Sequence, residues 1–184
     1  MFADLNNKVA LITGAGQGIG AGIARVFAGA GAKVMVVNRT PAHGERTVQE
    51  ISDAGGEAEL FATDIGEVEN INSAISQTIS KWGRIDIALH NAASFLGGTV
   101  EEYSEDDLET VLAVNLKACF RLSKAAIPYF KKQGGGRLLF TSSVTGPRVA
   151  MPGTSYYAAS KGGMNAFIRT AALELARDNI TVNG

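Results

Sequence analysis

With 184 residues, 46% of them hydrophobic and 19% charged, the chain can build a core without disulfides or metal, and its composition excludes disorder. A net charge of −1 argues against nucleic acid or an anionic membrane as partner, and one cysteine with two histidines leaves no disulfide framework and no zinc constellation. No secretory apolar core or bilayer-length apolar run is present, so one cytoplasmic domain over residues 1–184 is expected.

The run Val9-Ala10-Leu11-Ile12 is too short for a helix and is bounded by glycine, which predicts a buried strand. Glycines follow at 14, 16, 18 and 20, then an apolar-periodic helix from about Ile19 to Ala30 that stops at Gly31. The common G-x-G-x-x-G would need glycine at 19, where Ile19 stands, so the spacing that fits is Gly14-x-x-x-Gly18-x-Gly20. Strand, glycine turn and helix form the context in which helix N-terminal N–H groups meet a dinucleotide pyrophosphate. The bland alternative is a glycine-rich turn with no ligand.

Lys33–Val37 reads as the second strand, closing on Asn38-Arg39. Thr40 and Pro41 then supply an N-cap and an N1 proline for a helix to about Ala54. Gly55-Gly56 turn the chain into a third strand, Ala58–Ala62, which ends at Thr63-Asp64. The next helix, over 67–82, carries Val68, Ile71, Ile75 and Ile79 at helical spacing. Ile85–Leu89 is the fourth strand, with His90-Asn91-Ala92-Ala93 as the turn at its carboxyl end. The acidic cluster over 101–109 reads as a helix start capped by Ser104 rather than a cation site. That helix runs through Asn115 and Cys119 to about Lys132, with a bend expected at Pro128. Leu138–Ser142 is the fifth strand, a helix follows from about Tyr156 to Arg177, and Ile180–Gly184 opens a sixth strand. Such alternation predicts an α/β doubly wound parallel sheet, the Rossmann fold, with strand order 3-2-1-4-5 and truncation at the start of strand 6. Ligands would bind outside the carboxyl ends of the strands.

Chemistry is concentrated at those ends. The second strand closes on Asn38-Arg39 with no acid, and a guanidinium there suits the 2′-phosphate of NADP(H), unless Arg39 is an ordinary surface arginine. Asp64 could accept from an adenine amino group or cap the helix beyond it. Tyr157 and Lys161, four residues apart, share one helix face, and no other tyrosine has lysine at that offset. A phenol ordinarily titrates near pH 10, and a neighbouring ammonium with a cationic nicotinamide would favour phenolate.

Together these residues resemble the classical short-chain dehydrogenase/reductase family over the whole chain. The resemblance rests on the turn from Thr13 to Gly20, Asp64, the turn His90–Ala93 in place of Asn-Asn-Ala-Gly, Asn115, Ser143 in the run 142–146, and the Tyr157/Lys161 pair. It implies an NAD(P)-dependent oxidoreductase that moves hydride between NADP(H), preferred over NAD(H), and a small-molecule carbonyl or secondary alcohol. Ser143 would hydrogen-bond the substrate carbonyl and Tyr157 would give or take its proton. Lys161 would bind the nicotinamide ribose, and Asn115 would hold a relay water. Cofactor contacts are implied for Gly14, Gln17, Gly18, Ile19, Gly20, Asn38, Arg39, Asp64, Ile65, Asn91, Ala92 and Ala93, with Tyr157 and Lys161. Family members associate through the two long helices near 105–132 and 156–177, which implies a homodimer or homotetramer. Three departures stand out. Ala93 replaces a glycine; His90 replaces an asparagine and is expected to pack or bond within the turn; and the chain ends where family members continue into a substrate-covering segment. On that last ground the alternative is a cofactor-binding or interaction module with impaired catalysis.

Overall fold

The computed structural model describes residues 4–184. Strands form where apolar residues run without alternation, because both faces of the sheet are covered. Val9–Thr13 (β1) is buried throughout and pairs in parallel with Lys33–Asn38 (β2) on one side and Ile87–His90 (β4) on the other. Glu57–Ala62 (β3) extends the sheet beyond β2, while Gly136–Phe140 (β5) and Ile180–Asn183 (β6) extend it beyond β4. The order is therefore β3-β2-β1-β4-β5-β6. Its reversal between β1 and β4 sends their connections to opposite faces and opens a crevice at their carboxyl ends. The sixth strand, expected only as a stub, pairs with β5 along its full length, from Ile180 opposite Gly136 to Asn183 opposite Leu139.

Two apolar layers cover the sheet. On one face Gly18–Gly29 (α1) and Pro41–Asp53 (α2) bring Ala24, Ala28 and Ile51 onto Ala10, Ile12, Val34 and Val36. On the other, Val68–Trp82 (α3), Ala118–Gln133 (α5) and Ser155–Leu175 (α6) bring Ile71, Ile75, Leu122, Phe130, Met164 and Ile168 onto Leu11, Met35 and Leu138. The helical spacing places Ile71 and Ile75 in that core, whereas Val68, the first residue of α3, stays 38% exposed.

The expected long helix over 105–132 differs most from its sequence reading. Glu105–Leu112 (α4) passes into a π turn at Ala113–Lys117 before α5 begins. The Ala118 N–H bonds to the Ala113 carbonyl, one residue further back than an α-helix allows. The inserted residue rotates the following side chains by about 100° around the axis. The helix is thus interrupted around Asn115, while Pro128 sits inside α5. Ser104 caps α4 as expected, its Oγ accepting from Asp107 N–H at 3.3 Å, and Glu105, Asp106 and Asp107 face the positive dipole end. Thr40 makes no side-chain cap for α2; its carbonyl instead accepts from Asn38 Nδ2 at 2.9 Å. Among the described residues no helix is long and apolar enough to cross a membrane.

Candidate active site

The turn after β1 is held against the neighbouring strand by its own backbone. Gly14 N–H and Ala15 N–H both donate to the Val37 carbonyl, at 2.8 and 3.3 Å. Gly16 N–H donates to Asn38 Oδ1 at 3.1 Å, so the amide of Asn38 joins the turn after β1 to the turn after β2. Gly18 opens α1 at φ +54°, which side chains resist, and a Cβ there would meet open space. Gln17 makes no side-chain cap and the first turn of α1 holds no acid, so its N–H groups are left for an anion. At Gly20 a Cβ would collide with the Gly14 carbonyl and the Asn91 amide, so helix and turns approach only because that residue is glycine.

A cleft of about 430 Å³ lies beyond these turns. Gly14, Gln17, Gly18 and Ile19 line it from the first turn, Asn38 and Arg39 from the second, Asp64 and Ile65 from the third, and Asn91, Ala92 and Ala93 from the fourth. Gly20 lies beneath the cleft, and Tyr157 and Lys161 are not part of its lining. The cleft also takes in Thr40 and His43 from the start of α2, and Thr110 and Val114 from α4 and the π turn. Sequence reading missed all four. His43 was within reach of it, since a helix start at the strand end places residue 43 one turn from Arg39; Thr110 and Val114 carried no local signal. Arg39 faces Asp64 at 3.7 Å, both side chains well exposed, while the other Asp64 oxygen accepts from Gly66 N–H at 2.8 Å. Asp64 therefore closes its own turn and lines the cleft, while the N-cap position of the next helix is Glu67, with no side-chain cap.

Beside the cleft, α6 presents Tyr157 and Lys161 on one face. The Lys161 side chain is buried, its Nζ donating to the Thr141 carbonyl at 2.7 Å and lying 5.6 Å from the centre of the Tyr157 ring. Burial pulls its pKa below the ordinary lysine value. The half-buried Tyr157 ring meets the exposed Phe95 edge-on, 4.6 Å between centres. Ser143 Oγ accepts from Thr145 N–H at 3.0 Å, which leaves its hydroxyl hydrogen free to donate. Cys119, the small buried residue its sequence suggests, has its thiol pushed up to about 12 by burial.

Asn115 is fully buried, and both ends of its amide are engaged. Oδ1 accepts from Ser94 N–H at 2.7 Å, and Nδ2 donates to the Ser94 carbonyl at 2.9 Å and to Ser160 Oγ at 3.1 Å. Ser160 in turn donates to the Tyr157 carbonyl at 2.7 Å. The Asn115 side chain thus fastens the loop at Ser94 to α6. Asn91 makes the equivalent tie on the cleft side, donating to the Gly14 carbonyl at 3.1 Å and accepting from Thr141 Oγ1 at 3.2 Å. His90, 1% exposed, makes the expected turn bond, with Nδ1 2.9 Å from Thr13 Oγ1. Burial and the Lys161 ammonium pull its pKa down to about 3.

A cleft with free helix N–H groups, an arginine at its far end and a serine–tyrosine–lysine set beside it suits a nucleotide and a proton-transfer reaction. Comparison with known proteins agrees. The family model for short chain dehydrogenase matches residues 8–184. An oxidoreductase of Thermotoga maritima is 37% identical over 180 residues, 98% of this chain and 70% of that protein. The crystal structure of a short chain dehydrogenase from Burkholderia cenocepacia J2315 in complex with NADP aligns with a TM-score of 0.93 at 32% identity, covering 98% of this chain and 74% of that one. An NAD+-bound xylitol dehydrogenase aligns equally well, with a TM-score of 0.93 at 31% identity over 98% of this chain and 70% of that one. Structural likeness therefore supports a nicotinamide cofactor without choosing between the two.

Proposed function

This chain belongs to the short-chain dehydrogenase family, and from that premise we propose that residues 1–184 form one nucleotide-binding unit. We propose that it transfers hydride between NADP(H) and a carbonyl/secondary-alcohol pair, with Tyr157 moving the proton. The observation that carries this reading is the placement of a buried, backbone-anchored Lys161 against the ring of Tyr157, next to a cleft whose walls fit a dinucleotide. The fit is physical: the open face at Gly18 admits a phosphate, and the acid-free first turn of α1 offers it N–H donors.

The bound nicotinamide supplies or accepts the hydride; the chain does everything else. Ser143 donates its free hydroxyl hydrogen to the substrate oxygen, because its Oγ already accepts from Thr145. Tyr157 gives its phenolic proton to that oxygen in reduction and takes it back in oxidation. Lys161, held by the Thr141 carbonyl, keeps a positive charge beside the ring as the proton leaves. Asn115 positions rather than reacts, fixing the Ser94 loop and, through Ser160, the backbone of Tyr157. Arg39, now facing Asp64 across the cleft, would hold the 2′-phosphate with His43 on the same wall, which supports a preference for NADP(H). Phe120, 53% exposed and tilted against Phe167 with 4.4 Å between ring centres, with Leu173 83% exposed, supports a homodimer through α5 and α6. A non-catalytic module is the less favoured reading, since the family match includes Ser143, Tyr157 and Lys161.

The test is nicotinamide absorbance during turnover of a panel of ketones and secondary alcohols, in the original protein and in Tyr157→Phe. The variant is expected to lose turnover while its Kd for NADPH stays within about twofold, because the ring keeps its packing and only the acid–base group is lost. A variant with most of the original kcat would assign the proton to another group.

A further inference from the structure

Asn165 takes no part in the chemistry above, yet it stands on the same helix row as two residues that do. Tyr157, Lys161 and Asn165 follow at four-residue steps along α6, which puts the three side chains on one stripe of the helix. The last two both reach the strand end beside them. Lys161 Nζ donates to the Thr141 carbonyl at 2.7 Å, and Asn165 Nδ2 donates to Ser142 Oγ. Two adjacent residues past the end of β5 are thus held by two adjacent turns of α6. A second bond fixes which way the Asn165 amide points. Nδ2 also donates to the Lys161 carbonyl at 2.9 Å, and a carbonyl can only accept. Both amide hydrogens are therefore committed, one within the helix and one across to the strand end. The chain beyond Ser143 is pressed on the same helix. At Gly146, where φ is +98°, a Cβ would lie 2.2 Å from the Ala158 carbonyl oxygen and 3.1 Å from the Gly162 nitrogen. Ser143 lies between these attachments, and Ser142 is its covalent neighbour.

We propose that Asn165 is a positioning residue, which through its bond to Ser142 sets Ser143 in register with Tyr157. The substrate oxygen has to be met by Ser143 from the strand end and by Tyr157 from α6, and the two belong to different elements. Lys161 is the looser of the two ties, since it reaches Thr141 through a long stem with several rotatable bonds. Asn165 is short and held at two points, so a strand end that shifts along α6 must first break its bond. The positioning role rests on Ser143 and Tyr157 sharing the substrate oxygen, as proposed above; the hydrogen bonds do not.

Substitutions at both ends of the bond separate positioning from packing. Asn165→Leu keeps the volume and removes both donors. Ser142→Val removes the hydroxyl, whereas Ser142→Thr keeps it at nearly the volume of valine. The tie predicts that Asn165→Leu and Ser142→Val each lower kcat by about tenfold, as misplacement of a reacting group does, while the Kd for NADPH stays within about twofold. It predicts that Ser142→Thr retains most of the original kcat. It also predicts that Asn165→Leu costs nothing further in a Ser143→Ala background, because the group it positions is already gone; a residue that only supports the fold would cost the same in either background. If Asn165→Leu fails to fold, the Ser142 pair still makes the comparison. Equal kcat in Ser142→Val and Ser142→Thr, or an undiminished Asn165→Leu loss in the Ser143→Ala background, would overturn the proposal. Urea midpoints test the bond without turnover: the Asn165→Leu/Ser142→Val pair should lose less than the sum of the single losses. Additive losses would overturn this inference and leave the proposed function standing. Absence of turnover in the unsubstituted protein would overturn the proposed function and the positioning role with it.

Discussion

The two halves of the site are built by different means. The cofactor cleft is made of turns at the ends of β1 to β4, where Gly18 faces open space and exposed side chains such as Arg39 line the wall. The proton-transfer half is made of buried side chains, with Asn115, Ser160 and Lys161 each bonded to main chain or to one another. Contacts in the first half are near water and replaceable, so single changes there should cost little. In the second, the Asn115 amide, the Ser160 hydroxyl and the Lys161 ammonium are bonded within the protein, and removing one leaves partners unpaired.

Asn115→Leu tests that contrast hardest. It would leave the Ser94 N–H and the Ser94 carbonyl without their partner, at about 1–3 kcal/mol for each group left unsatisfied, and take one donor from the Ser160 hydroxyl, which keeps its bond to the Tyr157 carbonyl. We expect a clear drop in the urea midpoint and a fall in kcat of about 10²-fold, with a much smaller change in cofactor affinity. Equal losses in kcat and in cofactor affinity would show that the halves are not separable in this way.

Acid offers the next largest effect, and through His90 it reaches the buried half. The His90 pKa lies near 3 in the folded chain against the ordinary 6.5, so the folded chain binds fewer protons. Its contribution to stability is complete above about pH 6.5 and is lost as pH falls toward about 3, by up to about 1.4 kcal/mol per pH unit. Urea melts across that range should be steeper in pH for the original protein than for His90→Asn. Parallel curves would mean that the ring is not held neutral by its burial.

The smallest change belongs to the exposed half. Arg39 is 78% exposed and already faces Asp64, so screening cuts its contribution to 2′-phosphate binding to about 1 kcal/mol, roughly a fivefold change in Kd. Arg39→Ala should weaken 2′,5′-ADP by that factor in a titration and leave 5′-AMP unchanged. If 5′-AMP binding fell as far, Arg39 would be acting on the adenosine or on the fold and not on the 2′-phosphate.

What could be read directly from the chain was whatever depends on near neighbours in sequence. The alternation of apolar strands with amphipathic helices specified the parallel order, because a buried strand and a helix face are each legible in a short window. The glycine turn was legible because its conformation at Gly18 belongs to the turn itself. Tyr157 and Lys161 were legible because four residues of helix put them on one face. The tertiary structure decided the rest. Asn38 lines the cleft as its place at the strand end suggests, but its bond to Gly16 comes from a turn 22 residues away, and that of His90 to Thr13 from one 77 residues away. The apolar period over 105–132 continues unbroken through the π turn, and nothing local marks Asn115 as its centre. Its partners Ser94 and Ser160 are 21 and 45 residues away, so the hydrogen bonds that hold that side chain exist only once the sheet has brought loop and helix together.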